Sequence, residues 1–213
     1  EGHIMIGNFL VHVFVDLGTM WHARHVFDVL TYRDESAWNS LIIGYAKSCS
    51  PDIALTLYGE MKDCKGIFPS SHLLVCLLNC CASMKDAEKG CELHDEIVKL
   101  GLASDMFVGN ALVDMYVKCG LTTKAHDLFD KLPSRDVVTW TTIIAGYSEL
   151  GYCEEALKWF ELMQIEGVFP NDVTYICCLK ACGCIGAPGN GQVLHDDIVQ
   201  KGLLESNLVV ANT

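Results

Sequence analysis

Residues 109–120 read GNALVDMYVKCG, and residues 7–18, which lie 102 positions earlier, read GNFLVHVFVDLG. The same interval separates Trp38 from Trp140, which open the related stretches WNSLIIGY and WTTIIAGY. It recurs at three asparagines: Asn8, Asn110 and Asn212. Self-similarity at a fixed spacing is the signature of a repeat protein. Because each repeat contacts mainly its neighbours, we expect the function to lie along an extended surface rather than in one pocket.

The 102-residue period divides into three shorter units. Each unit ends at a polar residue that precedes a helix-like run. The predicted units are residues 4–34, 35–70, 71–105, 106–136, 137–171 and 172–207. Residues 208–213 open a further unit. Unit lengths of 31 to 36 residues lie in the range of helical repeat proteins.

Each unit is expected to form two helices. The first run of residues 137–171 places four apolar side chains on one helical face: Trp140, Ile143, Ile144 and Tyr147. The second run does the same with Ala156, Leu157, Phe160 and Met163. No stretch alternates with a period of two beside hairpin dipeptides, so no sheet is predicted. Since one helical pair cannot bury its apolar face alone, the predicted fold class is all-α, a solenoid of stacked helix-turn-helix repeats.

Composition narrows the class of protein further. The chain has 213 residues, of which 51% are hydrophobic, so it is too apolar for a disordered segment. No apolar run reaches the roughly 18 residues of a membrane-spanning helix. The twelve cysteines fall mostly in helical apolar runs and are interpreted as buried thiols in a reducing compartment. Both ends of the chain cut through a repeat, so we expect it to be part of a longer protein.

The unit lengths and their signatures resemble the pentatricopeptide repeats of land plants, in the PLS subclass that alternates short, standard and long motifs. Residues 109–136 are similar to the short motif and residues 137–171 to the standard motif. Residues 73–102 and 173–203 are similar to the long motif. The resemblance makes 4–34 and 106–136 short repeats, 35–70 and 137–171 standard, 71–105 and 172–207 long, and 208–213 the start of another short repeat. It implies a right-handed superhelical solenoid that binds single-stranded RNA, with one base per repeat.

The resemblance also implies which side chains read the bases: the fifth residue of each first helix together with the last residue of the repeat. The pairs are Asn8 with Asp34, Asn39 with Ser70, Val75 with Asp105, Asn110 with Asp136, Thr141 with Asn171, and Ile176 with Asn207. An amide carries both a donor and an acceptor and can face a base edge, whereas Val75 and Ile176 cannot hydrogen-bond a base. By the preferences of the family, the implied footprint from 5′ to 3′ is U-C-N-U-A-N. The alternative is local, because an Asp, Asn or Ser before a helix is also a favourable N-cap and a helical Asn can simply be solvated.

The second residue of each repeat is apolar in the family and sandwiches a base. Here that position holds Met5, Phe107, Val138 and Val173, whereas Ser36 and His72 depart from the pattern. The thirteenth position often carries a phosphate-binding lysine, which the resemblance assigns to Lys47 and Lys118. Asp16 and Glu149 occupy the same position in other repeats, and either lysine can equally be a solvated surface charge.

The formal net charge of −12 argues against a non-specific polyanion binder, since phosphate neutralisation usually dominates nucleic-acid affinity. Local potential in a groove matters more than this sum, so weak and salt-sensitive RNA binding is expected. The charge favours the main alternative, a tetratricopeptide-like scaffold that binds peptides. The alternation of unit lengths and the polar residues in register favour RNA. A protein-docking role for the long repeats can coexist with RNA binding.

No catalytic, metal-binding or cofactor-binding residue is predicted, and the chain is expected not to be an enzyme. His94, Asp95 and Glu96 match half of a zinc deaminase signature, but the partner motif P-C-x-x-C is missing. The resemblance implies a parent protein that directs RNA processing, such as C-to-U editing, in a mitochondrion or chloroplast. A C-terminal domain or a partner protein would then supply the deaminase, and the long repeats could bind a helper protein.

Overall fold

The computed structural model describes residues 2–64 and 66–201 of the chain. Within these ranges the backbone forms twelve α-helices and no β-strand. The helices are α1 (Gly2–Asp16), α2 (Met20–Val29), α3 (Glu35–Lys47), α4 (Pro51–Lys62), α5 (Ser71–Met84), α6 (Ala87–Lys99), α7 (Met106–Lys118), α8 (Thr122–Lys131), α9 (Val137–Glu149), α10 (Cys153–Ile165), α11 (Asp172–Ile185) and α12 (Pro188–Gln200). The predicted all-α class is confirmed.

The helices alternate along the chain as first helices, with odd numbers, and second helices, with even numbers. Helices α3, α5, α7, α9 and α11 begin at the residues where the sequence units were drawn. The helices separate into two compact bodies, Glu1–Met115 and Tyr116–Thr213, with the boundary inside α7. Residues 202–213, which include the end of the last predicted unit, lie outside the described residues.

In the N-terminal body, first helices pack on their neighbours in sequence order. Helix α1 contacts α2 and α3, and α3 contacts α4 and α5. The core between these helices is mainly aliphatic, and its fully buried side chains include Leu41, Ile42, Leu73, Leu74 and Leu77. Because each hairpin buries its apolar face against the next hairpin, the stack supplies a core that no single hairpin could form.

The C-terminal body repeats the plan with α9 to α12. Helix α9 packs on α10 and α11, and α11 packs on α12. Its fully buried side chains include Ile143, Ile144, Met163 and Tyr175. Both bodies therefore have the layered helical packing expected from the spacing of apolar residues in the sequence.

An aromatic contact recurs at the junctions that follow Asp34 and Asp136. In the N-terminal body the rings of Phe27 and Trp38 meet edge to face with centroids 4.7 Å apart. In the C-terminal body Phe129 and Trp140 do the same at 4.8 Å. Each such pair stabilises the fold by about 0.5–1.5 kcal/mol beyond the contribution of the apolar area that it buries. An arginine covers each phenylalanine ring, Arg33 in one body and Arg135 in the other.

Glycine allows two helices to approach closely in each body. A Cβ atom on Gly44 of α3 would lie 2.8 Å from Val15 Cγ1 of α1. A Cβ atom on Gly146 of α9 would lie 2.8 Å from Val117 Cγ1 at the end of α7. These two glycines are 102 positions apart, so the same tight contact recurs in register.

The cysteines are consistent with a reduced protein interior. All twelve lie within the described residues and are free thiols, and five are buried: Cys80, Cys81, Cys153, Cys178 and Cys182. Burial raises the pKa of the Cys80 thiol to about 11, so this group behaves as a small apolar side chain. Within residues 2–64 and 66–201, no helix has both the length and the apolar character needed to cross a membrane.

The glycine contact yields a stability prediction. Gly146→Ala is expected to lower the free energy of unfolding by about 1–3 kcal/mol, because the new methyl group collides with the stiff Val117 side chain. Gly183→Ala is the matched control, since Gly183 also lies in a helix of the C-terminal body and its Cβ would meet nothing within 4 Å. The control is expected to gain up to about 1 kcal/mol from helix propensity. Urea or thermal unfolding of both variants measures the difference, and equal stabilities would contradict the packing.

Candidate functional site

The last residue of each described repeat caps the first helix of the next one. The Asp34 carboxylate accepts from the Ala37 N–H at 2.8 Å, and the Ser70 hydroxyl accepts from the Leu73 N–H at 3.2 Å. Three further residues cap in the same way. Asp105 accepts from the Val108 N–H, Asp136 from the N–H groups of Val138 and Thr139, and Asn171 from the Thr174 N–H. Asn207, the sixth predicted reader of this kind, lies outside the described residues.

Capping uses only part of each side chain. Asp34, Asp105 and Asp136 all cap through Oδ1, and within the described part of the chain Oδ2 of each has no hydrogen-bond partner. A carboxylate has acceptor sites on both oxygens. An aspartate at a repeat junction can therefore hold the start of a helix and still accept a hydrogen bond from a ligand.

The asparagines at the fifth position of three first helices share an unusual environment. Asn8 is 6% exposed, and Asn39 and Asn110 are half-buried. The Oδ1 atom of all three is buried and receives no hydrogen bond from any described residue. Buried polar atoms are nearly always paired in folded proteins. Three unpaired amide oxygens in the same register indicate a common role for this position.

The fifth position of residues 137–171 holds a threonine, Thr141, rather than an asparagine. The buried Thr141 hydroxyl lies 2.7 Å from the Thr174 hydroxyl, which donates to Asn171 Oδ1 at 2.8 Å. The two side chains predicted to read one base, Thr141 and Asn171, are therefore connected through a third residue on the next first helix. Thr174 also completes a capping box with Asn171, which fixes the start of α11.

The fifth positions of the units 71–105 and 172–207 carry no polar group. Val75 and Ile176 are both half-buried on their first helices. That these two residues read a base poorly, or only set the spacing between neighbouring base contacts, stays a prediction.

The second residue of each repeat is exposed in every described case. The apolar residues predicted to sandwich bases are all largely exposed: Met5 at 74%, Phe107 at 73%, Val138 at 52% and Val173 at 53%. Ser36 and His72, which replace the apolar residue in two repeats, are exposed as well. Large apolar side chains near the start of α1, α7, α9 and α11 therefore face water and are available for contact with a flat ligand.

A groove runs over the first helices of the N-terminal body. We call it the N-terminal groove; it has a volume of about 760 Å³ and is lined by residues of α1 and α3, together with His72 of α5. Its lining includes the predicted base reader Asn39, the second-position residue Ser36 and the predicted phosphate ligand Lys47. The structure thus brings together the three kinds of position that the sequence assigned to one repeat.

The two predicted phosphate ligands differ in their surroundings. Lys47 is exposed in the groove and has no ion-pair partner among the described residues. Its ammonium group lies close enough to α5 to lower the pKa of Cys76, although burial raises that pKa by more. Lys118 instead forms an ion pair with Glu149 at 3.8 Å, so the thirteenth positions of two adjacent repeats neutralise each other.

The N-terminal groove also contains two polar side chains that the sequence analysis did not single out. His12 and Glu35 line it together with His72 and Asp16, which the sequence placed at the second and thirteenth positions of their repeats. His12 lies one helical turn after Asn8, so the i, i+4 spacing was the signal that could have placed it on the same face. Its Nε2 atom lies 3.5 Å from Asp16 Oδ2, and its Nδ1 atom lies 3.3 Å from the Ser40 hydroxyl.

The half-matched deaminase motif has a structural role. Glu96 accepts a hydrogen bond from the Tyr58 hydroxyl at 2.7 Å and pairs with Lys62 at 3.2 Å, which connects α4 to α6. Burial and this carboxylate raise the pKa of Tyr58 far above its ordinary value. Within residues 2–64 and 66–201, no group of three or more histidine, cysteine or acidic side chains is arranged to hold a metal ion.

Comparisons with known sequences agree on one family. A profile described as the PPR repeat family matches residues 135–184, and one described as PPR repeat matches residues 36–65, 74–102 and 110–137. The chloroplastic pentatricopeptide repeat-containing protein DOT4 of Arabidopsis thaliana is 38% identical over 82% of this chain and 20% of its own length. The mitochondrial protein At2g03880 of the same plant is 38% identical over 90% of this chain and 30% of its own length. The chain spans about a fifth to a third of the length of such relatives.

Solved structures show the same fold. The crystal structure of the pentatricopeptide repeat protein PPR10 from maize matches with a TM-score of 0.73 and 21% identity, over 92% of this chain and 29% of that one. PPR10 in complex with an 18-nt psaJ RNA element matches with a TM-score of 0.75 and 24% identity, over the same shares. The all-α repeat solenoid predicted from the sequence is therefore confirmed as the fold class.

The capping geometry predicts that two substitutions of Asp136 differ in their effect on the free energy of unfolding. Asp136→Ala is expected to lower the free energy of unfolding by about 1–2 kcal/mol, because two backbone N–H groups and the Thr139 hydroxyl lose their acceptor. Asp136→Asn retains an oxygen acceptor and is the control, with a loss of about 0.5 kcal/mol or less. Chemical unfolding measures both, and an Ala variant as stable as the Asn variant would refute the role of the cap.

Proposed function

Because the chain belongs to the pentatricopeptide repeat family, we propose that it binds single-stranded RNA sequence-specifically, with one repeat for each base. The observation that carries the proposal is the shared state of Asn8, Asn39 and Asn110. Each is held in register on a first helix, with an amide oxygen that receives no hydrogen bond from the described residues. A side chain that packing has positioned but that the protein leaves unpaired is suited to a ligand.

The energetics of an unpaired amide favour this use. A buried acceptor without a donor costs about 1–3 kcal/mol in the free protein. A base edge that donates a hydrogen bond to the amide oxygen removes that cost. Where the oxygen points away from the groove, the amide group must first rotate. The amide group carries a donor beside the acceptor, so it can distinguish bases by the order of the two on their Watson–Crick edge. The free Oδ2 of an adjacent capping aspartate adds a second acceptor at the same repeat junction.

The exposed second-position residues supply the sequence-independent part of the binding. Met5, Phe107, Val138 and Val173 each present an apolar side chain to solvent on the first turn of a first helix. Side chains of this kind can hold an unstacked base by contact with its face, which leaves the base edge for the fifth residue. Stacking of a base on an aromatic ring contributes about 1–3 kcal/mol, and of these four side chains only Phe107 offers such a ring.

The charge distribution determines how strongly the chain is expected to bind RNA. The net charge of −12 opposes binding of a polyanion, whereas Lys47 places an unpaired positive charge in the N-terminal groove. Affinity is therefore expected to depend strongly on local contacts and to fall with added salt. Running 5′ to 3′ from the N-terminus, the proposed footprint is U-C-N-U-A-N, with unspecified bases at the repeats of Val75 and Ile176.

In the parent protein, this segment is proposed to select a site for organellar RNA processing such as C-to-U editing. Relatives named as chloroplastic or mitochondrial support an organellar location. The reaction itself is assigned to another domain or to a partner deaminase. The long repeats, with apolar Val75 and Ile176 at the fifth position, are the proposed place for a helper protein.

A change of reader residues tests the function and its register together. Asn110→Thr combined with Asp136→Asn is expected to move the preference at the fourth base from U towards A, by about 1–3 kcal/mol of discrimination. The matched control, Thr141→Asn with Asn171→Asp, is expected to move the fifth base from A towards U. Affinities for RNA strands that differ at one base measure both shifts. If neither variant changes its preference, sequence reading by these positions is wrong.

The two lysines predict unequal effects on affinity. Lys47→Met is expected to weaken RNA binding by about fivefold on all sequences alike, because it removes an unpaired charge from the groove. Lys118→Met is expected to have a smaller effect, since Glu149 already neutralises Lys118. Titrations at two salt concentrations measure both losses. Equal losses would contradict the idea that the ion pair suppresses the Lys118 contact.

A further inference from the structure

The N-terminal groove contains two histidines that neither the fold nor the proposed base readers require. His12 projects from α1 and His72 from α5, and both are exposed among the residues that line the groove. Histidine is the side chain that gains a positive charge between about pH 8 and pH 5. Resting on the RNA binding proposed above, we propose that RNA affinity in this groove is proton-linked, with His12 and His72 as the groups that take up protons.

The fixed charges of the groove make this linkage effective. The described lining contributes two carboxylates, Asp16 and Glu35, and one ammonium group, Lys47. With neutral histidines these charges favour exclusion of a phosphate backbone. Protonation of both histidines reverses the balance to a net positive charge, so it changes the sign of the local potential.

His12 has a specific partner in this change. Its Nε2 atom lies 3.5 Å from Asp16 Oδ2, and both side chains are more than half exposed. Asp16 occupies the thirteenth position, where Lys47 stands in the next repeat. A protonated His12 therefore neutralises the carboxylate that takes the place of a phosphate-binding lysine. Its Nδ1 atom faces the Ser40 hydroxyl at 3.3 Å, a contact that suits either protonation state after rotation of the hydroxyl group.

His72 acts on the opposite wall. It stands at the second position of its repeat, where other repeats present an exposed apolar residue for the face of a base. An imidazole ring can stack on a base in its neutral form and adds a cation when protonated. His72 thus retains the base contact expected at this position and adds a charge that depends on pH.

The neighbouring helices do not supply a competing group inside the groove. The described lining comes only from α1, α3 with its C-cap Ser48, and α5. On α2, which packs on α1, Arg24 pairs with Asp28 at 2.9 Å, and His22 and His25 pack beside Trp21. On α4, which packs on α3 and α5, Lys62 is paired with Glu96.

The sign of the effect follows from the charges. A lower pH adds protons to the histidines, and the positive groove then binds the RNA backbone more tightly. By reciprocity, bound RNA favours the protonated histidines. Affinity is therefore expected to rise as the pH falls from about 8 to about 6, by about five- to twentyfold, which is the effect of two exposed ion pairs. Added salt should reduce this rise.

The test is titration of the full 213-residue chain with a U-C-N-U-A-N strand at about pH 8 and about pH 6, at matched ionic strength. The double variant His12→Gln with His72→Gln is expected to lose most of the pH response, measured as the ratio of its affinities at the two pH values. His25→Gln, an exposed histidine outside the groove lining, is the matched control and should keep the full response. Thermal unfolding of each variant checks that folding is unchanged.

Asp16→Asn gives an independent check on the same groove. It removes the carboxylate beside His12 and is expected to raise affinity at about pH 8 by several-fold. RNA binding that is equal at both pH values, or a pH response that survives in the double variant, would overturn the proton linkage and leave RNA binding intact. Absence of RNA binding at both pH values would overturn the proposed function itself.

Discussion

The junction between repeats is the constraint on which the rest of the structure depends. The last residue of a repeat accepts hydrogen bonds from the first N–H groups of the next first helix, and this fixes the residue at which that helix begins. Once the start is fixed, the second, fifth and thirteenth positions fall on predetermined faces of the helix. At the junctions after Asp34 and Asp136, the edge-to-face contacts of Trp38 and Trp140 with a preceding phenylalanine hold the helix against its neighbour. The same local device therefore sets the register of the candidate contacts on α3, α5, α7, α9 and α11.

The same junction explains how one residue can serve structure and binding together. Asp34 and Asp136 cap through one oxygen and leave the other available, so reading a base does not require release of the helix end. The repeat of Thr141 differs, since its two predicted readers are joined through Thr174. An incoming base there must compete with an existing hydrogen-bond chain. Repeats with the same architecture can thus differ in how freely their reader side chains respond to a ligand.

Much of the fold followed from the sequence because helix periodicity and the 102-residue interval are local signals. The five interior first helices begin where the units were drawn, and the exposure of Met5 and Phe107 follows from their register on the first turn. Tertiary facts were not accessible in the same way. The unpaired oxygens of the asparagines, the ion pair between Lys118 and Glu149, and the place of His72 beside α3 depend on how successive helices stack. A single sequence does not contain those distances.

The most direct measurement is the affinity of the chain for a short RNA that contains U-C-N-U-A-N, beside a scrambled single strand and a duplex of the same sequence. We expect preferential binding to the designed strand, weakened by salt, with little binding to the duplex. Equal binding to the designed and scrambled strands would contradict the assignment of bases to Asn8, Asn39, Asn110 and Thr141. Binding to none of the three would contradict RNA recognition by this segment and direct attention to a protein ligand.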